Sequence, residues 1–490
     1  MTFDAQQSSP TGFEVKLPGP RVAVILWPII TAFNLRNHTT SMRPDTSPTV
    51  YSRSQLGAAL AAVFALAVAC GATGCDGLSN PAKPGRVILI GIDGASPRIV
   101  NEMFAKGELP NLAKLAREGV SGDLRSVIPM HSPRIWNTIA TGMTPEQHGI
   151  VGFSYPNRIG NQQLYVSTDR KAPALWSIVS AAGLRVGVIN FWNTYPLEKI
   201  DGVIVSDHVL AKEIEGRNEL TGSAQTETGA VIFPEAWNEK LVQLIKDNAT
   251  PVPDFEDPFA PPKILPRWVL RDELQRRFKE DGAIASMTSK IVREEKPDVT
   301  MVLLCGIDRV SHYLWGVMES PEHYTQGLIP TPETRAGGRE ALFAYYQYTD
   351  ALVGEIIKDY GPNDLVMVVS DHGFEAEQGM LRLTGNHTTE KAIDGVIFAR
   401  GRGIEPGSES KHVSVNDITP TILTWLGFAT ANDMAGVAAD FLPEEVRGAV
   451  TPVQSYKDLE IEYVDTKPLP SGVEDDIVEQ LRALGYIDEP

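Results

Sequence analysis

Three short runs constrain the fold more than any other feature of this chain. Arg86–Ile92, Val299–Ile307 and Leu365–Ser370 are apolar and β-rich, and none alternates polar with apolar residues. A strand with one solvated face alternates with period two, so unbroken runs indicate strands covered on both faces. Between them lie patterns of helical period at Leu109–Glu118, Ala174–Ala182, Asp272–Glu295 and Ala341–Tyr360. Strand–helix alternation predicts an α/β fold with a central, largely parallel sheet flanked by helices. With 490 residues, the chain can bury a large core.

Each apolar run leads to an acid: Asp93-Gly94, Asp308, and Asp371-His372-Gly373. In open α/β sheets ligands bind beyond the carboxyl ends of the strands. One Asp in such a place is usually a turn residue or a helix cap. Three at equivalent ends, two of them with a nearby His, point to a site. Asp308 and His312 are four residues apart and share a face if that segment is helical. Asp371 and His372 adjoin at a strand-end turn, and His387 follows in the loop Thr384-Gly385-Asn386-His387-Thr388. Carboxylates and imidazoles without thiolates suit zinc or another divalent transition metal. Six ligands exceed what one tetrahedral ion takes, so two divalent ions are expected. His131, His148, His208, His323 and His412 lack a comparable partner pattern and are not expected to be ligands.

Ile128–Gly142 reads as a helix with Ser132 as N-cap, Pro133 as first residue and Gly142 as stop. Capping is the bland role for Ser132. The same geometry puts its hydroxyl at the positive end of a helix, where an alkoxide and a phosphoryl group are both favoured. A bound metal would lower the hydroxyl pKa further, which makes Ser132 the candidate nucleophile.

The remaining segments set organisation and compartment. Ser54–Cys75 contains no charged residue and follows Arg53, and Leu56–Ala69 is strongly apolar. This reads as a secretory signal, being short of the roughly 20 apolar residues of a membrane span. Its end resembles a bacterial lipobox before Cys70 or Cys75, so lipidation at one of them is expected. The protein is then exported to the cell envelope, on the periplasmic side, and held at the membrane by its lipid. Residues 1–41 carry a second apolar stretch, Val22–Phe33, and Met42 is the more natural start for the signal. Cys305 lies in an apolar run and is expected to be a small buried hydrophobe. The Pro-rich, polar stretch Asp207–Pro266 breaks the strand–helix rhythm and is expected to be a cap insertion beside the site. The organisation is thus a leader at 1–75, core α/β parts at 86–206 and 267–430, the cap at 207–266, and a C-terminal extension at 431–490. That extension is expected to end in a short helix around Ile477–Leu484. Lys and Arg number 44 against 62 Asp and Glu, a net charge of −18. Such acidity argues against binding a nucleic-acid duplex, which needs a basic face. It does not exclude small anionic substrates, because a local metal ion outweighs a distant surface field.

Taken in order, these motifs resemble the alkaline phosphatase superfamily, in the branch of type I phosphodiesterases and nucleotide pyrophosphatases, from about Arg86 to Phe428. The landmarks are Ile90-Gly91-Ile92-Asp93-Gly94, Leu109-Pro110-Asn111-Leu112, Ser132-Pro133 through Thr141-Gly142, and Pro145-Glu146-Gln147-His148-Gly149-Ile150. Asp308 with His312, Asp371-His372-Gly373, His387 and Asp417-Ile418-Thr419-Pro420-Thr421 follow. The resemblance implies that Asp93, Asp371, His372 and Ser132 hold one zinc, and that Asp308, His312 and His387 hold the other. It implies a small phosphorylated substrate, with a diester favoured, attacked by Ser132 to form a phosphoseryl intermediate or its diester counterpart. His148 would be structural. The chain also departs from that branch. The nucleophile is Ser where Thr is usual, Pro133 has no N–H to hold phosphate, and Phe153 stands where an Asn is expected. Arg134 or Asn137 is expected to take over phosphate binding. Alternatives are a sulfatase-like enzyme, a phosphotransferase or phosphomutase on the same fold, and an inactive lipoprotein that binds phosphorylated ligands. Against a sulfatase, Ser132-Pro133-Arg134 has the wrong spacing for Cys/Ser-x-Pro-x-Arg. Against an inactive protein, the ligand set is complete.

Overall fold

The computed structural model describes residues 85–156, 162–210, 230–377, 379, 384–465, 477–479, 481–482 and 486. The chain divides into a unit of residues 1–81 and a unit of residues 82–490. The expected leader, with Cys70 and Cys75, lies outside the described residues, as do 211–229 of the expected insertion.

The apolar runs form strands, and the structure shows why they do not alternate. The strands of the main sheet are β1 (Val87–Ile92), β2 (Val120–Arg125), β3 (Val186–Phe191), β4 (Gly202–Ser206), β5 (Ile232–Phe233), β6 (Val299–Leu304), β7 (Leu365–Val369), β8 (Asp394–Arg400) and β9 (Ser408–Ser414). Their order is β9-β2-β8-β7-β1-β6-β3-β4-β5. Ile88, Ile90 and Ile92 enter one core, whereas Val87 and Leu89 enter a second core on the opposite face. The same division separates Val366 and Val368 from Leu365, Met367 and Val369. Both faces are therefore dry, and each fully buried aliphatic side chain contributes ~1.5–3 kcal/mol relative to exposure.

The middle of the sheet is parallel, β7-β1-β6-β3-β4, and antiparallel pairing enters at β8 and β5. Register aligns the carboxyl ends of the central strands, with Ile92 opposite Leu304 and Gly91 opposite Val369. The residues that follow β1, β6 and β7 are therefore delivered to one edge. Helix α1 (Ser132–Thr141) packs on the face that receives Leu89, through Ile135, Trp136 and Ile139. Helices α2 (Arg271–Glu295), α3 (Gly306–Leu314) and α4 (Pro332–Ile357) cover the other face.

Two expectations change in detail. Cys305 is not inside a strand; it caps α3 and is only half-buried. Ser132 is the first residue of α1, with His131 as the N-cap, and no side-chain capping bond forms there. Within Asp207–Pro266, the described part supplies β5 at the sheet edge and helix Asn238–Lys246, whose Leu241 and Ile245 enter the core shared with α2.

Candidate metal centre and nucleophile

The central strands put three carboxylates side by side. Asp93 follows β1 directly and its N–H bonds Leu304 O at 2.9 Å, locking it to the end of β6. Gly94, at φ 72°, turns the chain and donates its N–H to Asp371 Oδ1 at 3.1 Å. That positive φ suits glycine. Asp308 lies in the first turn of α3, and its N–H bonds Asp93 O at 3.0 Å. All three Asp, together with His312, His372 and His387, are buried.

The side chains converge in two sets. His372 Nε2 is 3.5 Å from Asp93 Oδ1 and 3.4 Å from Asp371 Oδ2. Asp308 Oδ1 lies 3.4 Å from His312 Nε2 and 3.5 Å from His387 Nε2. The rings of His372 and His387 stack at 3.9 Å and join the sets. Ser132 Oγ is buried and directed at Asp93 Oδ1, 3.4 Å away. Since no capping bond competes for it, the hydroxyl is available to the cluster.

The imidazoles are prepared for a cation. His312 Nδ1 meets Gly385 O at 2.9 Å, and His372 Nδ1 meets Gly373 O at 2.9 Å. A carbonyl only accepts, so each Nδ1 carries a proton, and Nε2 is the nitrogen left facing inward to bind an ion. Asp371 Oδ2 and His372 Nε2, both buried, have no hydrogen-bond partner. Burial, then the charges of Asp371 and Asp308, pushes the Asp93 carboxyl well above its usual range, and burial does the same to Asp371. Burial also pushes His387 well below the usual imidazole range, helped by His372. Asp308 goes the other way: burial opposes it, but the imidazoles of His312, His387 and His372 outweigh that and hold it below its usual range. Crowded carboxylates and inward lone pairs are the donor set of a divalent-metal site, and the residues fit such ions.

Two indoles that sequence reasoning did not single out support Asp93. Trp136 Nε1 donates to Asp93 Oδ2 at 3.1 Å, and Trp192 Nε1 reaches the same oxygen at 3.5 Å. Trp136 is four residues after Ser132 on α1, so helical spacing alone puts both on one face. Its approach requires Gly91, where an added Cβ would lie 2.5 Å from the indole.

The expected phosphate holders are placed elsewhere. Arg134 pairs with Glu146 at 3.2 Å and reaches Ile128 O, away from the cavity over Ser132. Asn137 donates to Pro133 O and Asn193 Oδ1, each at 2.7 Å, and accepts from Arg170 at 3.2 Å. It fastens α1 to the loop after β3 and does not line that cavity. The cation on the cavity wall is Arg309, beside Asp308; Asn190, Trp192 and the Asp207–His208 pair also line it. Cys305 is on that wall as well. His148 is structural in its surroundings: Nδ1 accepts from Ile150 N–H at 3.2 Å, which leaves the Nε2 proton for Thr138 Oγ1 at 3.1 Å. Burial lowers its pKa to about 3, so the ring stays neutral.

A residue from the C-terminal segment also enters the cluster. Tyr486 Oη is 2.6 Å from His312 Nε2, 2.9 Å from His387 Nε2, and 3.2 and 3.1 Å from the two Asp308 oxygens. Nothing in the sequence around Tyr486 signals this position.

No curated protein sequence matched the chain. Among solved structures, a 2-O GAG sulfatase shares 14% identity, with 72% of this chain and 73% of that one covered at a TM-score of 0.46. The phosphonate monoester hydrolase of Silicibacter pomeroyi shares 18%, covering 72% and 75% at 0.42. The phosphonoacetate hydrolase of Sinorhizobium meliloti 1021, in complex with phosphonoformate, shares 19%, covering 60% and 58% at 0.34. The family profile for type I phosphodiesterase / nucleotide pyrophosphatase matches residues 87–417, from the first residue of β1 to beyond β9. That span contains all six clustered ligand candidates and Ser132, and the chain belongs to this family of phosphoric ester hydrolases.

Proposed function

We propose that the chain is a two-zinc phosphodiesterase that works through a covalent intermediate on Ser132. The observation that carries this reading is the Ser132 hydroxyl, buried, uncapped and directed at Asp93 where three carboxylates and three imidazoles converge. Asp93, Asp371 and His372, with Ser132, would hold one ion; Asp308, His312 and His387 would hold the other. The ions would supply Lewis-acid stabilisation of charge on the phosphoryl oxygens and a lowered hydroxyl pKa.

The chain's own residues do the rest. Trp136 and Trp192 hold Asp93 Oδ2, which leaves Oδ1 toward Ser132. Ser132 Oγ bonds to phosphorus as the ester P–O bond breaks and the alcohol leaves. Water then cleaves the Ser–O–P bond and restores the hydroxyl. The start of α1 favours the transferred anion through its partial positive charge. Arg309, which lines the cavity and pairs with Glu280 at 3.5 Å, would meet the remaining substrate charge. Trp192 and Phe153 offer an apolar wall for the ester group, which favours a small diester. The uncharged, apolar segment ending at Cys70 or Cys75 supports an exported protein anchored by lipid in the cell envelope.

The test is metal analysis of the purified full chain with parallel hydrolysis of bis-p-nitrophenyl phosphate, p-nitrophenyl phosphate and p-nitrophenyl sulfate. Two zinc ions and phosphate-ester turnover are expected, fastest on the diester. Turnover of the sulfate with neither phosphate would overturn the reading.

A further inference from the structure

We infer that the side chains of Ile477, Leu481 and Tyr486 form an autoinhibitory plug, in which the Tyr486 hydroxyl occupies the point where Asp308, His312 and His387 converge and must leave before that set is loaded. The inference rests on the metal-dependent reading above.

Chemistry at the hydroxyl carries it. A phenol has one proton to donate. Three acceptors lie within 3.2 Å of Tyr486 Oη, His312 Nε2 and both oxygens of Asp308, and His387 Nε2 is 2.9 Å away. In the neutral ring His312 Nε2 is an acceptor, because the Nδ1 proton is committed to Gly385 O. One proton cannot satisfy three lone-pair sites, whereas a divalent cation at that point can. The phenol thus sits where the donor set calls for an ion, and makes a weaker substitute for it.

Tyr486 is seated as well as inserted. The Tyr486 ring stacks on Phe153 with centroids 4.4 Å apart, and buried Leu481 packs on Phe153 in the same cluster. Phe153 stands after the His148-Gly149-Ile150 turn, and Ile477, Leu481 and Tyr486 all line the cavity over Ser132. These three side chains form part of the cavity wall and narrow the approach of an ester to Ser132. A closed resting state lowers apparent affinity by the fraction of molecules that are open.

The experiment compares the full chain with Tyr486→Phe and Leu481→Ala. Zinc affinity is measured by competition with a chromogenic chelator, and inorganic phosphate binding to the zinc-loaded proteins by calorimetry. Tyr486→Phe removes the hydroxyl and keeps the ring; Leu481→Ala keeps the hydroxyl and loosens its seat. Both variants are expected to bind the second zinc and phosphate about tenfold more tightly than the parent chain, ~1.4 kcal/mol each. Weaker zinc binding by Tyr486→Phe would make Tyr486 a ligand and overturn the plug. Unchanged zinc and phosphate affinities in both variants would overturn it too, while leaving the two-zinc reading intact. Failure of the parent chain and both variants to bind zinc would overturn both readings together.

Discussion

Asp281 offers a quantitative test of how the scaffold under the site is held. This carboxyl is buried on α2, and its Oδ2 takes the Gly306 N–H at 3.2 Å and faces the Tyr345 hydroxyl at 3.0 Å. Gly306 opens α3, the helix that carries Asp308 and His312. Tyr345 also faces Arg277 O at 3.0 Å, so its single proton is shared between two acceptors. Burial, with Glu280 adding to it, raises the Asp281 pKa from 3.8 to about 7. The folded protein therefore keeps a proton that the unfolded chain releases near pH 3.8. The resulting stability is fully present below pH 3.8 and is lost as pH rises to about 7. The interval from 3.8 to about 7, at about 1.36 kcal/mol per pH unit, corresponds to about 4 kcal/mol. Asp281→Asn stays neutral throughout, keeps an acceptor for Gly306, and lacks this dependence. Urea unfolding of both proteins from about pH 4 to about pH 8 isolates the effect, since other groups cancel in the difference. The variant is expected to gain about 4 kcal/mol on the parent chain across that range, with the gain complete once Asp281 ionises. Parallel stability curves would refute the argument that burial holds this acid neutral.

Three further outcomes follow from the site. Ser132→Ala should keep the fold and lower kcat on bis-p-nitrophenyl phosphate by at least about 10³-fold, read by steady-state kinetics beside circular dichroism. Trp136→Phe removes one N–H from the Asp93 carboxylate, a charged hydrogen bond worth ~1.5–3 kcal/mol, and should lower kcat about tenfold or more while zinc content holds. Arg134→Ala should leave kcat and KM within about twofold, because its partner is the exposed Glu146, and such pairs contribute ~0–1 kcal/mol. A large rise in KM would put Arg134 back in the substrate site.

The comparison between sequence and structure divides by the range of the interactions. The double-sided burial of β1, β6 and β7 was legible because an unbroken apolar run has few other homes in a soluble fold. Asp308 and His312 share the α3 face because four residues make about one helical turn. Trp136 was equally legible from its spacing to Ser132. Arg134 and Asn137 were not: their position on α1 is local, but their partners, Glu146, Asn193 and Arg170, come from packing. Ser132 was expected to cap α1, and the structure instead has His131 there and the hydroxyl unused by the helix.

The inventory of the site and its edge of the sheet are thus written in local stretches of the chain. Strand ends, the helical turn of α3 and the start of α1 are set by interactions among near neighbours in the chain. Which atoms meet depends on long-range packing. The register of β7, β1 and β6 brings Asp93, Asp308 and Asp371 together over hundreds of residues. The same long-range packing brings Tyr486 onto Asp308 from 178 positions away. No local pattern encodes such a contact, because its free energy comes from surfaces that exist only once the sheet and its helices have assembled.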